Sequence, residues 1–328
     1  MNVLCIGGLR LASPVLLAPM AGYTDLPYRL CIRRLGGVGL AFTELLNPAS
    51  LLRGGGRKRA QLLATDPADA PLGWQLYGNE PALLAEAAQW LVARGARLLD
   101  INMGCPQKKI SGRGKGAGLL RDLKLAERVA AAVVSAVAVP VTAKIRLGWD
   151  RDHPVAVPLA RVLEAVGVAA ITVHGRTRAQ GYRGKADWVA IGEVVAAVDR
   201  IPVIGNGDVD TPDRAQNLLA VTGCAGLMVG RALLKNPWLI RDIARRLEGK
   251  RALPAPGRAQ WLRFSQAHFR RMTGLYGERI AVVLFRKWLA QYAQGLGLAR
   301  ARLQALYQMR EPGAFKRGIG WLPAGAHG

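Results

Sequence analysis

The sequence predicts an α/β protein: a closed barrel of eight strand–helix units followed by a small C-terminal helical bundle. Three observations carry that reading. Eight short apolar or β-branched runs alternate with Ala/Leu/Arg/Glu-rich segments of helical period over roughly the first 240 of the 328 residues, the length that a (β/α)8 TIM barrel occupies. Nearly every run ends in a side chain able to do chemistry. Beyond a Gly/Pro-rich break the alternation stops and the pattern turns helical. An open doubly wound sheet is the alternative, but such a sheet carries a Gly-rich turn after its first strand, and this chain has none there.

In order, the strands are read at Val15–Met20, Leu40–Glu44, Leu72–Gln75, Leu98–Asn102, Val141–Arg146, Ala170–His174, Val203–Asn206 and Leu227–Gly230. Helices are read at Pro81–Arg94, Leu123–Ala138, Val155–Val166, Trp188–Val198 and Thr211–Thr222. The strands end in Met20, Glu44, Gln75, Asn102 with Cys105, Lys144 with Arg146, His174, Asn206 with Asp208, and Gly230 with Arg231. In a barrel these ends converge on one face, where such folds place their active sites. Singly the residues are ordinary; their shared position is the signal.

The barrel is assigned to 1–248, a linker to 249–257 on Gly249, Pro254, Pro256 and Gly257, and a basic helical domain to 258–328. In that last part Trp261, Phe264, His268 and Met272 share one helical face, and Phe285, Trp288, Leu289, Tyr292 and Leu296 share another. From Pro256 onward there are 12 Lys/Arg against 2 acidic residues, so this part carries +10 of a formal net charge of +24. An excess of one sign points to an anionic partner, and on a compact helical domain it favours a phosphate backbone over a merely solvated surface. No apolar run reaches about 18 residues without a charge, so no membrane span is expected. Arg10 interrupts the apolar stretch Val3–Ala21 and no basic cluster precedes it, so the chain is read as cytoplasmic. Cys5, Cys31, Cys105 and Cys224 lie far apart with no ligand-spaced histidine, which argues against a structural zinc site and a disulfide scaffold. Cys5, Cys31 and Cys224 are expected in the core, and the Ala/Gly-rich end, Leu322–Gly328, is expected to fray.

The densest chemistry lies at Asp100-Ile-Asn-Met-Gly-Cys-Pro106. A buried strand breaks at Gly104 and Pro106 and presents the Cys105 thiol. A loop read as flexible follows, Gln107–Gly118, with Lys108, Lys109, Arg113 and Lys115. The combination suggests a reactive group working on an anionic substrate; a small apolar residue capping a strand is the plain alternative. A barrel that binds a phosphorylated cofactor grips the phosphate with the loops after strands seven and eight. Here those loops are Ile204-Gly-Asn-Gly-Asp208 and Met228-Val-Gly-Arg231. Glycine there lets backbone N–H groups approach, and Arg231 adds a bidentate clamp; two ordinary βα turns are the alternative. Lys144, His174 and Gln75 are expected to point to the centre. A flavin ring needs donors along its edge and positive charge near N1, which suits Gln75 and His174 for the edge and Lys144 for the charge.

These segments resemble the tRNA-dihydrouridine synthase family. The resemblance is carried by Pro19-Met-Ala-Gly-Tyr-Thr-Asp25, Asp100-Ile-Asn-Met-Gly-Cys-Pro106, Thr142-Ala-Lys-Ile-Arg-Leu-Gly-Trp149, Thr172-Val-His-Gly-Arg-Thr177, Ile201-Pro-Val-Ile-Gly-Asn-Gly-Asp208, and Gly230-Arg231 through Asn236-Pro-Trp238. It runs in order over about residues 12–240. Lys108-Lys109, Arg176-Thr-Arg178 and the Arg286-Lys287 pair in the tail are most similar to the bacterial B branch. Gly205 stands where many relatives carry Ala, and Trp288 where a His often follows the basic pair.

The resemblance implies FMN as cofactor, NADPH or NADH as transient reductant, tRNA as partner, and reduction of one uridine to 5,6-dihydrouridine. It implies that Pro19, Met20 and Ala21 lie along the flavin, and that Gln75, Lys144 and His174 hold the isoalloxazine. Asn206, Gly207, Asp208, Gly230 and Arg231 would hold the ribityl phosphate. Cys105 would protonate C5 while hydride reaches C6, and the flipped uracil would meet Asn102 and Arg146. A thiol of ordinary pKa near 8.5 is mostly protonated at neutral pH, so it can serve as that acid. Lys108, Lys109, Arg286 and Lys287 would contact tRNA, the first two on a mobile lid. A monomer without metal would suffice. One rival function is an FMN barrel oxidoreductase acting on a free pyrimidine, of dihydroorotate dehydrogenase type, which leaves the basic tail unexplained. The other is a non-catalytic RNA-binding protein on a decayed barrel, against which the intact cofactor constellation argues.

Overall fold

The computed structural model describes residues 3–321; the C-terminal end expected to fray, Leu322–Gly328, lies outside them. Eight parallel strands close a barrel in chain order: β1 (Val15–Leu17), β2 (Leu40–Phe42), β3 (Leu72–Leu76), β4 (Leu99–Asn102), β5 (Val141–Arg146), β6 (Ala170–His174), β7 (Val203–Asn206) and β8 (Gly226–Val229). β8 pairs back onto β1. Each strand overlaps the run read from the sequence. Strands of such a barrel are covered on both faces, which is why most of their residues are buried, polar ones such as Asp100 and Thr142 included. Helices cover the outside, several started by a capping side chain: Asp25 before Leu26–Leu35, Asp122 before Leu123–Ala136 and Thr211 before Pro212–Thr222.

The register decides what meets at the carboxyl face. Asn102 pairs with Lys144, Arg146 with His174, His174 with Asn206, and Asn206 with Met228. The polar ends of four adjacent strands, β4 to β7, therefore stand side by side around half of the rim.

The opposite face is closed by a hairpin, Cys5–Ile6 with Leu9–Arg10, that the apolar Val3–Ala21 stretch did not separate. Leu4, Ile6 and Leu11 pack there against Leu16, Phe42, Ile204 and Met228 inside the barrel. Alternation along this short strand turns Ile6 inward and Cys5 outward, so Cys5 is exposed instead of in the core, while Cys31 and Cys224 are buried.

Four helices follow the barrel: Arg258–Tyr276, Glu278–Leu296, Arg300–Gln308 and Pro312–Ile319. Both apolar faces read in the first two are buried. Their core runs without a break into the barrel's Tyr28 and Ile32 on the Leu26–Leu35 helix. Trp288, the departure from the family pattern, stacks on Tyr28 with ring centroids 4.5 Å apart. A buried ion pair, Arg29 Nε to Asp69 at 2.7 Å, pins the same barrel helix from the other side. Residues 250–257 carry no regular structure before Gln260 Oε1 accepts the Gly257 N–H at 2.8 Å and starts the tail. Among the described residues no helix is long and apolar enough to cross a membrane.

Candidate active site

Two cavities open at the carboxyl face, of about 330 and 380 Å³. Pro19, Met20, Lys144, His174, Tyr182 and Arg231 line both, so they form one bipartite groove. The first half adds Asn206, Gly207, Asp208, Gly230 and Lys235; the second adds Ala21, Tyr23, Asn102, Cys105 and Arg146. A larger cavity, about 650 Å³, lies on the flank between the Leu26–Leu35 and Arg258–Tyr276 helices and contains no strand-end residue.

The first half is a cationic recess. Lys144 Nζ donates to Asn206 Oδ1 at 2.9 Å, and Asn206 Nδ2 donates to the Met228 carbonyl at 2.7 Å, so the lysine is aimed across the strand ends. Burial, with Arg146 beside it, brings the Lys144 ammonium down to about 7 despite Asp100 and Cys105. Burial first, then the positive field of Lys144, Arg146, Arg176 and Arg231, holds His174 well below its ordinary value, so it is a neutral imidazole. The two carboxylates of this half are engaged: Asp208 with Arg176 at 2.8 Å and the Ala186 N–H at 2.7 Å, Asp210 with Arg214 at 3.4 Å. Burial favours the protonated form of Asp208, but Ala186 and Arg176 outweigh it and hold its pKa below the usual carboxylate range. Asp208 takes φ 57°, a left-handed backbone rare outside glycine, next to Gly207 at φ 126°. A Cβ on Gly207 would lie 2.7 Å from Ala186 Cβ and 3.2 Å from the His174 ring. Gly205 is also fixed by packing, because a Cβ there would fall 2.5 Å from Leu218 Cδ2.

The second half is built around a thiol held by a hydrogen-bond chain. Asp100, almost fully buried, accepts from Thr142 Oγ1 and from Gln75 Nε2, both at 2.6 Å. Gln75 Oε1 accepts from Asn102 Nδ2 at 3.0 Å, and Asn102 Oδ1 accepts the backbone N–H groups of Cys105 and Gly104 at 2.9 and 3.2 Å. Burial raises Asp100 to about 6. It also raises Cys105, against the Gln107 N–H and the fields of Arg146 and Lys144, so the group is a protonated thiol at neutral pH. Arg146 Nε donates to the Gly104 carbonyl at 2.7 Å, and its Nη1 donates to Thr177 and Gly181 at 2.9 and 2.8 Å. A protonated acid and a set of cations thus share one groove: proton donation beside an electron-rich, anionic group is the chemistry it can do.

The likeness to known proteins is as follows. A family model described as dihydrouridine synthase (Dus) matches residues 16–317. The chain is 41% identical over 300 residues to tRNA-dihydrouridine synthase B of Pseudomonas aeruginosa, covering 92% of this chain and 90% of that one. It is 43% identical to a probable tRNA-dihydrouridine synthase of Rhodobacter capsulatus, covering 88% and 89%. The chain belongs to the dihydrouridine synthase family. This synthase is accordingly an oxidoreductase. Two solved structures share its fold: morphinone reductase in complex with tetrahydroNAD, with TM-score 0.55, 16% identity and coverage of 79% and 93%, and a variant of NCR from Zymomonas mobilis, with TM-score 0.52, 15% identity and coverage of 77% and 92%.

Not every residue singled out in the synthase's sequence reaches the groove. Gln75 is completely buried and spends both ends of its amide on Asp100 and Asn102. Lys108 and Lys109 are exposed, but the segment after Cys105 is not the loop expected from its glycines. It folds as a helical turn, Lys108–Ser111, and a 3₁₀ turn, Gly116–Arg121. Ala117 N–H donates to the Cys105 carbonyl at 3.1 Å, Asn79 Nδ2 to the Arg113 carbonyl at 3.1 Å, and Arg178 Nη2 to Ser111 Oγ at 3.2 Å. Arg286 and Lys287 are half-buried and turned into the protein: Arg286 Nη2 donates to the Met309 carbonyl at 3.0 Å, and Lys287 Nζ to the Gly22 carbonyl. Conversely, Tyr182 escaped the sequence reading. It is 51% exposed, yet its ring sits 4.2 Å under the Arg231 guanidinium and 5.5 Å under that of Arg146. No periodicity marks an exposed tyrosine in a Gly-flanked turn. Asp100 lay inside a quoted motif, but nothing in the sequence distinguishes a buried relay carboxylate from a solvated one.

Proposed function

We propose that this synthase reduces a uridine of tRNA to 5,6-dihydrouridine with FMN as cofactor and NADPH or NADH as reductant, in the cytoplasm. The observation that carries the reading is a thiol kept protonated by burial, Cys105, in the same groove as the cationic recess of Lys144, Arg231 and the neutral His174. The recess fits FMN on its donor set: its carboxylates are engaged, Arg231 and Lys235 line it beside Lys144, and a side chain on Gly230 would crowd Ala18 at 3.2 Å.

FMN, once reduced, supplies the hydride that C6 of the uracil gains. The rest falls to the chain. Asn206, Gly207, Asp208, Gly230 and Arg231 would hold the FMN phosphate, and Pro19, Met20 and Ala21 would form one wall. Lys144 places positive charge against the ring, where an anionic group raises its pKa again. His174, neutral, offers one ring N–H as donor without adding charge. Gln75 acts from behind the groove, linking Asp100 to Asn102. Asn102 orients the Cys105 turn, and Arg146, whose Nη2 has no partner among the described residues, faces the pyrimidine. Cys105 Sγ gives its proton to C5 and regains one from solvent. The exposed Lys108 and Lys109 meet the RNA backbone.

The test uses holoenzyme reduced with NADPH and an unmodified tRNA transcript. Mixing reoxidises the flavin and yields dihydrouridine, whereas free uridine or orotate does not; the reverse outcome rejects tRNA as substrate. Cys105→Ala retains flavin and tRNA and loses about 10²–10⁴-fold in product formation, the span typical of a general acid. Turnover at the wild-type rate in that variant removes the thiol from the mechanism.

A further inference from the structure

One wall of the cavity that holds Cys105 is the turn after β1, from which Met20, Ala21 and Tyr23 line it. This turn is short and internally bonded: Met20 N–H donates to Thr24 Oγ1 at 2.8 Å, and Tyr23 and Thr24 donate back to the Met20 carbonyl at 2.9 and 3.0 Å. The two peptide groups flanking the Gly22 Cα are each held by a side chain from elsewhere in the chain. Glu44, just beyond β2, accepts the Gly22 N–H, and Lys287 of the helical tail donates to the Gly22 carbonyl. Gly22 takes φ +78°, a conformation that a side chain would strain. Two further tail residues hold the same turn. Tyr276 donates its hydroxyl to Asp25 Oδ2 at 2.8 Å, and Trp288 meets the Tyr23 ring edge-on at 5.1 Å.

We infer that Lys287 and Tyr276 are positioning residues, through which the helical tail fixes the active-site wall formed by Met20, Ala21 and Tyr23. The tail is then part of the active site's scaffold. Lys287 belongs to a pair that resembles RNA-contacting cations, but its surroundings oppose that role. It is half-buried, its ammonium lies 5.0 Å from the Tyr23 ring centroid, and the charges facing it are Asp25 and Glu44, with Arg29 behind them. A phosphate brought to this ammonium would be repelled by the two carboxylates beside it.

The inference rests on the proposed tRNA reaction only for its kinetic readout. Lys287→Met removes the donor and keeps the packing; Tyr276→Phe removes one hydroxyl and no charge. The first measurement needs neither flavin nor RNA: the rate at which iodoacetamide alkylates Cys105, followed by mass spectrometry of its peptide so that the exposed Cys5 does not intervene. A loosened wall makes Cys105 react several-fold faster in both variants, and unchanged rates overturn the inference. The second measurement is turnover. Both variants lose about 10- to 100-fold in kcat, the scale on which small misplacements cost rate, with little change in the KM for tRNA. The third is the salt dependence of tRNA binding. A lost phosphate contact lowers the log–log slope by about 0.7–0.9, whereas a positioning residue leaves it unchanged. A reduced slope with intact kcat in Lys287→Met overturns the inference in favour of an RNA contact. If alkylation accelerates but the wild type itself leaves tRNA unreduced, the positioning role stands and the proposed substrate falls.

Discussion

Replacing Asp100 by Asn tests the hydrogen-bond chain that holds the Cys105 turn. Both carboxylate oxygens accept, one from Thr142 Oγ1 and one from Gln75 Nε2. An amide has one acceptor to offer, and it suits Gln75. Its NH₂ then faces Thr142, whose hydroxyl can accept it and turn its own hydrogen to the Leu99 carbonyl, already 3.3 Å away. The chain through Gln75 and Asn102 to Cys105 survives, and Asn is tolerated. The ionisation is lost. Asp100 has an ordinary value of 3.8 and titrates near 6 when folded, so between those values the folded protein binds the proton more tightly than the unfolded chain. Its contribution to stability therefore falls as pH rises through that window, by about 3 kcal/mol, and stays lost above it. Asp100→Asn has no such fall. The stability difference between variant and wild type, from urea unfolding at pH 4 to 7, shifts in the variant's favour by about 2–2.5 kcal/mol. A pH-independent difference refutes the reasoning, because it means that the buried carboxyl ionises as it would in water. Asp100→Ala is the contrasting case. It leaves Gln75 Nε2 buried without an acceptor, at about 1–3 kcal/mol, and releases the amide that orients Asn102.

Two further outcomes follow from the same geometry. Asp69→Ala strands the buried Arg29 guanidinium, and also frees Arg33, which reaches the same carboxylate at 3.2 Å; a loss of about 3–5 kcal/mol in urea unfolding is expected, and a loss below 1 kcal/mol refutes the pairing. In the wild type, alkylation of Cys105 by iodoacetamide rises with pH beyond the ordinary thiol range, because burial raises its pKa; a plateau of the rate near neutral pH shows a thiolate and contradicts the assignment of an acid.

The barrel was legible because its strands are buried on both faces, so each appears as a short, mainly apolar or β-branched run even where it carries a polar residue such as Asp100 or Lys144. The polar residues at the carboxyl ends of these strands, among them Asn102, Arg146, His174 and Asn206, were legible because each closes such a run. What escaped was whatever lacks a period. The N-terminal hairpin pairs two residues with two, too few to alternate visibly. The Gln107–Gly118 segment looked like a loop because of its glycines, but two of them mark close contact. A Cβ on Gly118 would fall 2.6 Å from the Ser111 carbonyl oxygen, and one on Gly112 would fall 2.7 Å from that of Lys108. Composition cannot separate a glycine that lets the chain bend from one that lets two backbones touch.

The basic residues pose the same problem in another form. A count of cations treats them as equal, yet those in the recognisable motifs are largely committed to the protein itself. Arg146 holds three backbone carbonyls, Arg176 holds Asp208 and two carbonyls, and Lys287 holds Gly22. A guanidinium or ammonium with several donors is well suited to fastening the irregular turns that cap a barrel, because those turns leave carbonyl oxygens that no strand can satisfy. On the flank, Arg34, Arg263 and Arg270 are exposed and have no ion-pair partner among the described residues. The donors left to an anionic partner are therefore fewer than a count of Lys and Arg suggests, and Arg34, Arg263 and Arg270 add to them from outside the motifs that identify the family.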